Sequence, residues 1–304
     1  MNHRLPSSID MASATDPAHP CGLLGDTPER DYSRKLQLFN AFAEPELRLA
    51  IAGLALKPGM RVLDAGCGTG EALKWLHDAV RPTGSVVGMD LSAAHVRVAR
   101  GAAPDSVQVL QEDLTRPPLA AKSFDLIWSV NTINHLRDPS AGIGTLAGLL
   151  RPGGRIAIGQ SSLLADQHFA WDARLERLTN EAVRRYYEAR YGLTESDLRH
   201  VRHLLEWMHL AGLAHVTART FIIERTAPLR PADEAYLLEA IYRGTWGERL
   251  RPYLTSEDYT ELCRLCDPMH PSYALHRRDF HFIQTFTLVI GEAPARHDSS
   301  LVPT

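Results

Sequence analysis

From residue 31 to residue 160 the chain alternates short apolar runs with longer amphipathic stretches, and turn residues separate them. Tyr32–Leu56 has helical spacing. A turn at Gly59 leads to the apolar run Arg61–Ala65, which predicts a strand, and residues 70–80 have helical spacing again. Pro82–Gly84 marks a turn. The pattern then predicts a strand at Ser85–Met89, a helix over 92–101 and a strand over 107–111, followed by a connection at Pro117–Pro118. A strand at Phe124–Val130 comes next, then a helix over 139–150, a turn at Arg151-Pro152-Gly153-Gly154 and a strand at Arg155–Gln160. Asp138 before Pro139 is a good helix start, with a carboxylate cap and a proline in the first turn. Strands alternating with helices at this spacing imply a parallel sheet covered on both faces.

Beyond Gln160 the alternation stops. Residues 163–211 read as largely helical, ending at Gly212. Residues 215–225 read as a strand, 231–266 as helical, and Asp279–Ile290 as a final strand. Two late strands with no ordinary helical crossover suggest an antiparallel edge. Residues 1–30 and 293–304 are rich in turn residues and lack periodicity, so both read as flexible tails around a domain over 31–292.

Composition narrows the function. With 44% apolar residues a core of ordinary size can be buried. A net charge of −3 provides no basic field, so a nucleic-acid partner is not expected. The longest apolar run, Leu49–Leu56, has eight residues. That is well short of the roughly 18 needed to cross a bilayer, so no integral membrane association is expected. Cys21, Cys67, Cys263 and Cys266 are too scattered for a disulfide scaffold, which suggests a cytoplasmic setting.

The strongest chemical signal is Asp64-Ala65-Gly66-Cys67-Gly68-Thr69-Gly70-Glu71, a strand, a tight turn and a helix start. Glycines there permit a sharp turn and close approach of a ligand. Asp90 ends the next strand, where a carboxylate can take both hydroxyls of a ribose. A dinucleotide would place pyrophosphate at the same helix start, but Glu71 occupies it and would repel one. The loop therefore suits a ligand with a ribose and no phosphate, such as S-adenosylmethionine.

With Asp90-Leu91-Ser92, Glu112-Asp113-Leu114 and Leu150-Arg151-Pro152-Gly153-Gly154 alongside the glycine loop, residues 31–160 resemble the class I S-adenosylmethionine-dependent methyltransferases, in the ubiquinone and menaquinone methyltransferase-like, small-molecule branch. The resemblance implies a Rossmann-like α/β fold: a seven-stranded, mostly parallel sheet with its last strand antiparallel, plus helical lid insertions. It also assigns roles. Asp64, Gly66, Cys67 and Gly68 would line the methionine part of the cofactor. Asp90 would bind the ribose, with Leu91 against the adenine. Asp113 would accept from the adenine amino group beside Leu114. Asn131 would lie near the sulfonium, and Tyr32 would reach the methionine carboxylate. The product would be S-adenosyl-L-homocysteine.

Methyl transfer from a sulfonium needs alignment and no metal, and a base is needed only where the acceptor carries a proton. His135, four residues past Asn131, is the first candidate base. His281, at the start of the last strand, and Tyr273, in the loop before it, are the others. Cys263 and Cys266 sit three apart with His270 and His276 nearby, but no second cysteine pair completes a zinc site, so no metal is expected. Segments 163–196 and 226–276 concentrate Tyr and Trp and are expected to form an aromatic lid over an apolar or planar acceptor.

The reading is a methyltransferase acting on O, N or C of a small organic acceptor in specialised biosynthesis, with a homodimer left open. The alternatives are a quinone or lipid methyltransferase, for which Arg184, Arg185 and Arg190 on 181–191 would supply a basic face, and a cofactor-binding relative with a non-methylating reaction.

Overall fold

The computed structural model describes residue 24 and residues 26–161, 171–194 and 197–295, the side chains of 198 and 199 excepted. Helix α1 (Ser33–Gly53) leads into β1 (Arg61–Ala65), α2 (Glu71–Val80), β2 (Ser85–Asp90), α3 (Ala93–Ala102) and β3 (Gln108–Gln111). Then follow β4 (Phe124–Val130), α4 (Pro139–Ala147) and β5 (Leu150–Ser161). The later part holds α5 (Ala173–Tyr191), α6 (Leu204–Leu210), β6 (Ala214–Thr226), α7 (Pro231–Ala235), a π-helical stretch (Tyr236–Trp246), α8 (Ser256–Cys266) and β7 (His281–Glu292).

The seven strands form one sheet in the order β3-β2-β1-β4-β5-β7-β6. Strands β1 to β5 pair in parallel, while β7 is antiparallel to both neighbours. The last strand is therefore antiparallel, as expected. It is inserted inside the sheet, and β6 forms the edge. The chain enters at β1, builds outward through β2 to β3, then returns to β4 on the other side of β1. The carboxyl ends of β1 and β4 thus diverge and open a crevice at the switch point.

Local chemistry accounts for the element ends. The Ser92 hydroxyl accepts from the His95 amide and caps α3, and Asp138 accepts from Ala141 and caps α4. The expected turn at Arg151–Gly154 lies instead within β5, as an irregularity where the register on β4 shifts between Phe124 and Leu126. Gly153 is at φ +75°, its amide donates to Ala293 O, and the Ala293 amide donates back to Gly154 O. These bonds keep the glycines in the sheet.

Two apolar layers bury the sheet. One includes Phe42, Leu73, Val96, Trp128, Tyr242 and Phe282 under α1, α2, α3 and the late helices. The other includes Ile127, Ile143, Leu146, Leu204 and Met208 under α4 and α6. The late helical region departs from the expected lid. Tyr242, Trp246 and Tyr236 are buried in the first layer: Tyr236 stacks on Phe42 of α1, and Tyr242 stacks on Trp171 and Trp246. Part of the expected lid, 163–170 and 195–196, lies outside the described residues, as do 1–23, 25 and 296–304 of the expected tails. The basic face expected on 181–191 is partly neutralised, because Arg184 pairs with Glu181 and Glu188.

Candidate active site

A cavity of about 440 Å³ opens at the carboxyl ends of β1 and β4. Its size falls within the range of small-molecule and cofactor pockets. Its described lining comes entirely from residues 26–145, and none from the late helices.

The floor is the glycine turn. Gly66, Gly68 and Gly70 have φ of +81°, +52° and +91°, in the region that favours glycine. A Cβ on Gly66 would come within 2.2 Å of the Thr132 side chain, so the turn after β1 is pressed against the turn after β4. The Gly66 and Cys67 amides donate to Met89 O, which ties the loop to β2.

Asp90, at the end of β2, organises the loop. Its Oδ2 accepts from the Gly68 amide at 2.9 Å, and its Oδ1 accepts from the Ser92 amide at 2.9 Å. His95 Nδ1 lies 3.1 Å from the same Oδ1. Asp64 is 2% exposed, and its Oδ2 has no hydrogen-bond partner. Burial and the nearby charges of Asp90 and Glu71 push the Asp64 carboxyl up to about 8. Glu71 opens α2 and accepts from Asn40 Nδ2 at 2.7 Å and from the Thr69 hydroxyl at 2.7 Å.

Asn131 has φ +52° and locks β4 to β5: its amide donates to Gly159 O, and its Oδ1 accepts from the Ser161 amide at 2.8 Å. Leu91 and Leu114 line the cavity beside Asp113, whose Oδ1 accepts from the Thr115 amide at 2.8 Å. The buried thiol of Cys67 is pushed up by desolvation, so it acts as wall.

The donor set tests which ligand fits. Three acidic side chains gather at the glycine turn, and the buried one, Asp64, has an unpartnered oxygen and becomes a carboxylate most readily beside a cation. Such a site suits a cationic, phosphate-free ligand and disfavours a pyrophosphate. S-adenosylmethionine meets that requirement.

Sequence comparison reaches the same answer. Residues 63–158 match the methyltransferase domain family. Methyltransferase GfsG of Streptomyces halstedii is 37% identical over 111 residues, covering 34% of this chain and 39% of that protein. The 27-O-demethylrifamycin SV methyltransferase of Amycolatopsis mediterranei is 34% identical over 114 residues, covering 36% and 42%. The likeness lies in the segment that carries the glycine turn and Asp90, and residues 63–158 match as a methyltransferase domain. It spans about two fifths of the length of these curated relatives. The YcgJ protein of Bacillus subtilis has the same fold, with a TM-score of 0.54 at 17% identity over 84% of this chain and 99% of that one.

Every cofactor residue expected from the sequence lines this cavity: Tyr32, Asp64, Gly66, Cys67, Gly68, Asp90, Leu91, Asp113, Leu114 and Asn131. His135 lines it as well. The other two expected catalytic residues are elsewhere. His281 starts β7, on the ribbon beyond Ser161, and pairs with Glu224 at 2.8 Å. Tyr273 is 2% exposed, edge-on to Tyr242 and His276 within the late helical layer. Their place late in the chain suggested the cavity, but the β6–β7 pairing carries them away from it. Cys263 and Cys266 are free thiols, and among the described residues no group of His, Cys, Asp or Glu is arranged to hold a metal ion.

Two polar residues stand out among the cavity residues that the sequence reading missed. Asp26 falls inside the expected tail but is 7% exposed and faces the cavity. The boundary at residue 30 therefore cuts through packed structure. His95, on the buried side of α3, bonds Asp90 and lies 3.4 Å from the Tyr32 amide. Its i+3 spacing from the cap Ser92 was the one available sign.

Proposed function

We propose that the protein transfers a methyl group from S-adenosylmethionine to a small organic acceptor. The observation that carries this is the buried, unpartnered Asp64 carboxylate under a glycine turn whose amide is held by Asp90, at the switch point of the sheet. The relatives support the acceptor class: their names include a rifamycin SV methyltransferase and a nocamycin O-methyltransferase.

In this reading Asp64 and the Gly66–Gly68 turn hold the methionine arm, and Asp90 takes the ribose hydroxyls. Leu91 and Leu114 pack on the adenine, and Asp113 accepts from its amino group. Tyr32 reaches the methionine carboxylate, and Asn131 borders the sulfonium. S-adenosylmethionine supplies a methyl group already activated on sulfur and leaves as S-adenosylhomocysteine. The chain's work is then alignment and exclusion of water. No helix among the described residues is long and apolar enough to cross a membrane. A cytoplasmic setting belongs to the same reading, supported by the unpaired thiols of Cys67, Cys263 and Cys266.

Native mass spectrometry with S-adenosylmethionine, followed by a panel of phenols, alcohols, amines and polyketide acids, tests the proposal. Cofactor retention together with an acceptor heavier by one methylene supports it. No cofactor bound to the folded protein overturns it.

A further inference from the structure

The cavity holds a polar arrangement that cofactor binding does not explain. Asp26, on the strap ahead of α1, meets the 3-10 turn after β4 (Ile133–His135), and its Oδ2 lies 2.8 Å from Nδ1 of His135. The other carboxylate oxygen accepts from Arg30 at 3.3 Å and from the Tyr32 hydroxyl at 3.4 Å. The Tyr32 and His135 rings lie within 8° of parallel with centroids 6.2 Å apart, which restricts the imidazole's tilt. The strap is itself tied down: the Ser92 hydroxyl donates to Arg30 O at 2.6 Å and the Ala93 amide to Pro28 O at 2.9 Å.

We infer that Asp26 is a positioning residue that makes His135 the general base of the transfer, and that the acceptor is a hydroxyl compound. The inference rests on reading the cavity as a methyl-transfer site. A carboxylate at Nδ1 holds the proton on that nitrogen and leaves Nε2 as the basic one. Among the described residues Nε2 of His135 makes no hydrogen bond, and the ring lines the cavity. Although burial opposes ionisation of Asp26, the bond and charge of His135, with Arg30 and Tyr32, hold its carboxyl below the usual range.

A base serves a nucleophile that carries a proton at neutral pH and becomes acidic as it reacts, as a hydroxyl or an activated carbon does, and the O-methyltransferase names among the relatives favour the hydroxyl. As the acceptor oxygen forms its bond to the methyl carbon, its proton passes to Nε2 of His135, and the bonding pair of the broken C–S bond stays on the cofactor's sulfur. The base is assembled from segments 109 residues apart, so it exists only while the strap is docked. The other titratable or charged groups around the pair are Arg30 and Tyr32 on the strap, Asp90 and His95 across from them, and Arg137 and Asp138 on the following turn. His200, whose own pKa is lowered by burial and in part by His135, completes the set.

The test uses the full chain with histidine ¹⁵N-labelled, in complex with S-adenosylhomocysteine, and with the His135 resonances assigned through His135→Gln. At a pH of about 8, above the ordinary histidine range, the wild type is expected to show the Nδ1–H tautomer. Asp26→Asn is expected to shift His135 toward Nε2–H and to slow its acylation by diethyl pyrocarbonate by about tenfold or more. Asp26→Glu should restore much of both, and S-adenosylhomocysteine binding is measured on each variant to show that the site is still formed. An unchanged tautomer and acylation rate in an Asp26→Asn protein that still binds S-adenosylhomocysteine would overturn the inference. Failure of the wild type to bind S-adenosylhomocysteine would instead overturn the site reading beneath it.

Discussion

Asp64 is a buried acid with two acidic neighbours, and its position opposes stability in favour of binding. Its carboxyl stands at about 8, against an ordinary value of 3.8. Between those two values the folded protein keeps a proton that the unfolded chain has released. Stability of the ligand-free protein therefore falls as pH rises through about 4 to 8, and levels off above. Asp64→Asn should flatten that slope in a thermal-shift series and raise the melting temperature at pH 8, while weakening S-adenosylmethionine binding by calorimetry. A variant that binds unchanged would remove Asp64 from the methionine arm. Asp90→Ala removes the acceptor for the Gly68 and Ser92 amides together with the proposed ribose partner. Loss of such buried hydrogen bonds should cost about 1–3 kcal/mol of S-adenosylhomocysteine affinity. Gly66→Ala meets both a positive φ and the Thr132 side chain, so it should destabilise the fold by roughly 1–3 kcal/mol in denaturant titration. These residues were legible in the sequence because their chemistry is local: a glycine turn between a strand and a helix looks the same wherever the fold places it.

At the scale of elements, α1 is held to the far edge of the sheet by a polar junction. Arg225 on β6 bonds Glu46 and the Phe42 carbonyl of α1 and Asp233 of α7, at 2.6–2.9 Å. The Arg225 and Asp233 side chains are 10% and 2% exposed, and the guanidinium also lies over the Phe42 ring. Arg225→Ala strips Glu46 of its cation, while Asp233 keeps Arg230 at 2.6 Å, and should cost about 1.5–3 kcal/mol of unfolding free energy. Since α1 carries Leu36, Phe39 and Asn40 into the cavity, the same variant should also weaken S-adenosylhomocysteine binding. Nothing in the sequence marks this triad, whose members are 179 and 8 residues apart. The strap is the second such case. A stretch of Asp, Thr and Pro at 26–28 has no period and reads as tail, yet the cap Ser92 and the start of α3 hold Arg30 and Pro28 and so give it a seat.

At the scale of the whole molecule, the cavity draws on both halves of the parallel sheet and on the strap, so a ligand there links them. S-adenosylhomocysteine at about 100 times its dissociation constant should add about 2.7 kcal/mol. In a chain of this size that raises the melting temperature by roughly 5 °C. A scanning-fluorimetry titration checks this, and no shift at saturating ligand would count against the cavity as the cofactor site. The late helices show why an aromatic count misleads. Trp171, Tyr242 and Trp246 were as plausible over a substrate as under a sheet by type alone. The structure turns them inward, where Tyr242 stacks on both Trp171 and Trp246 away from the described cavity lining.

The alternating elements, the glycine turn, Asp90 and Asp113 were determined by the sequence itself, through periodicity and backbone preference that act over a few residues. The tertiary structure alone decided that β7 slides between β5 and β6, which carries His281 and Tyr273 away from the cavity. It also brought Asp26 onto His135. Both outcomes depend on which surfaces remain unburied once the sheet has formed, and that is a property of the assembled layers and of no single segment.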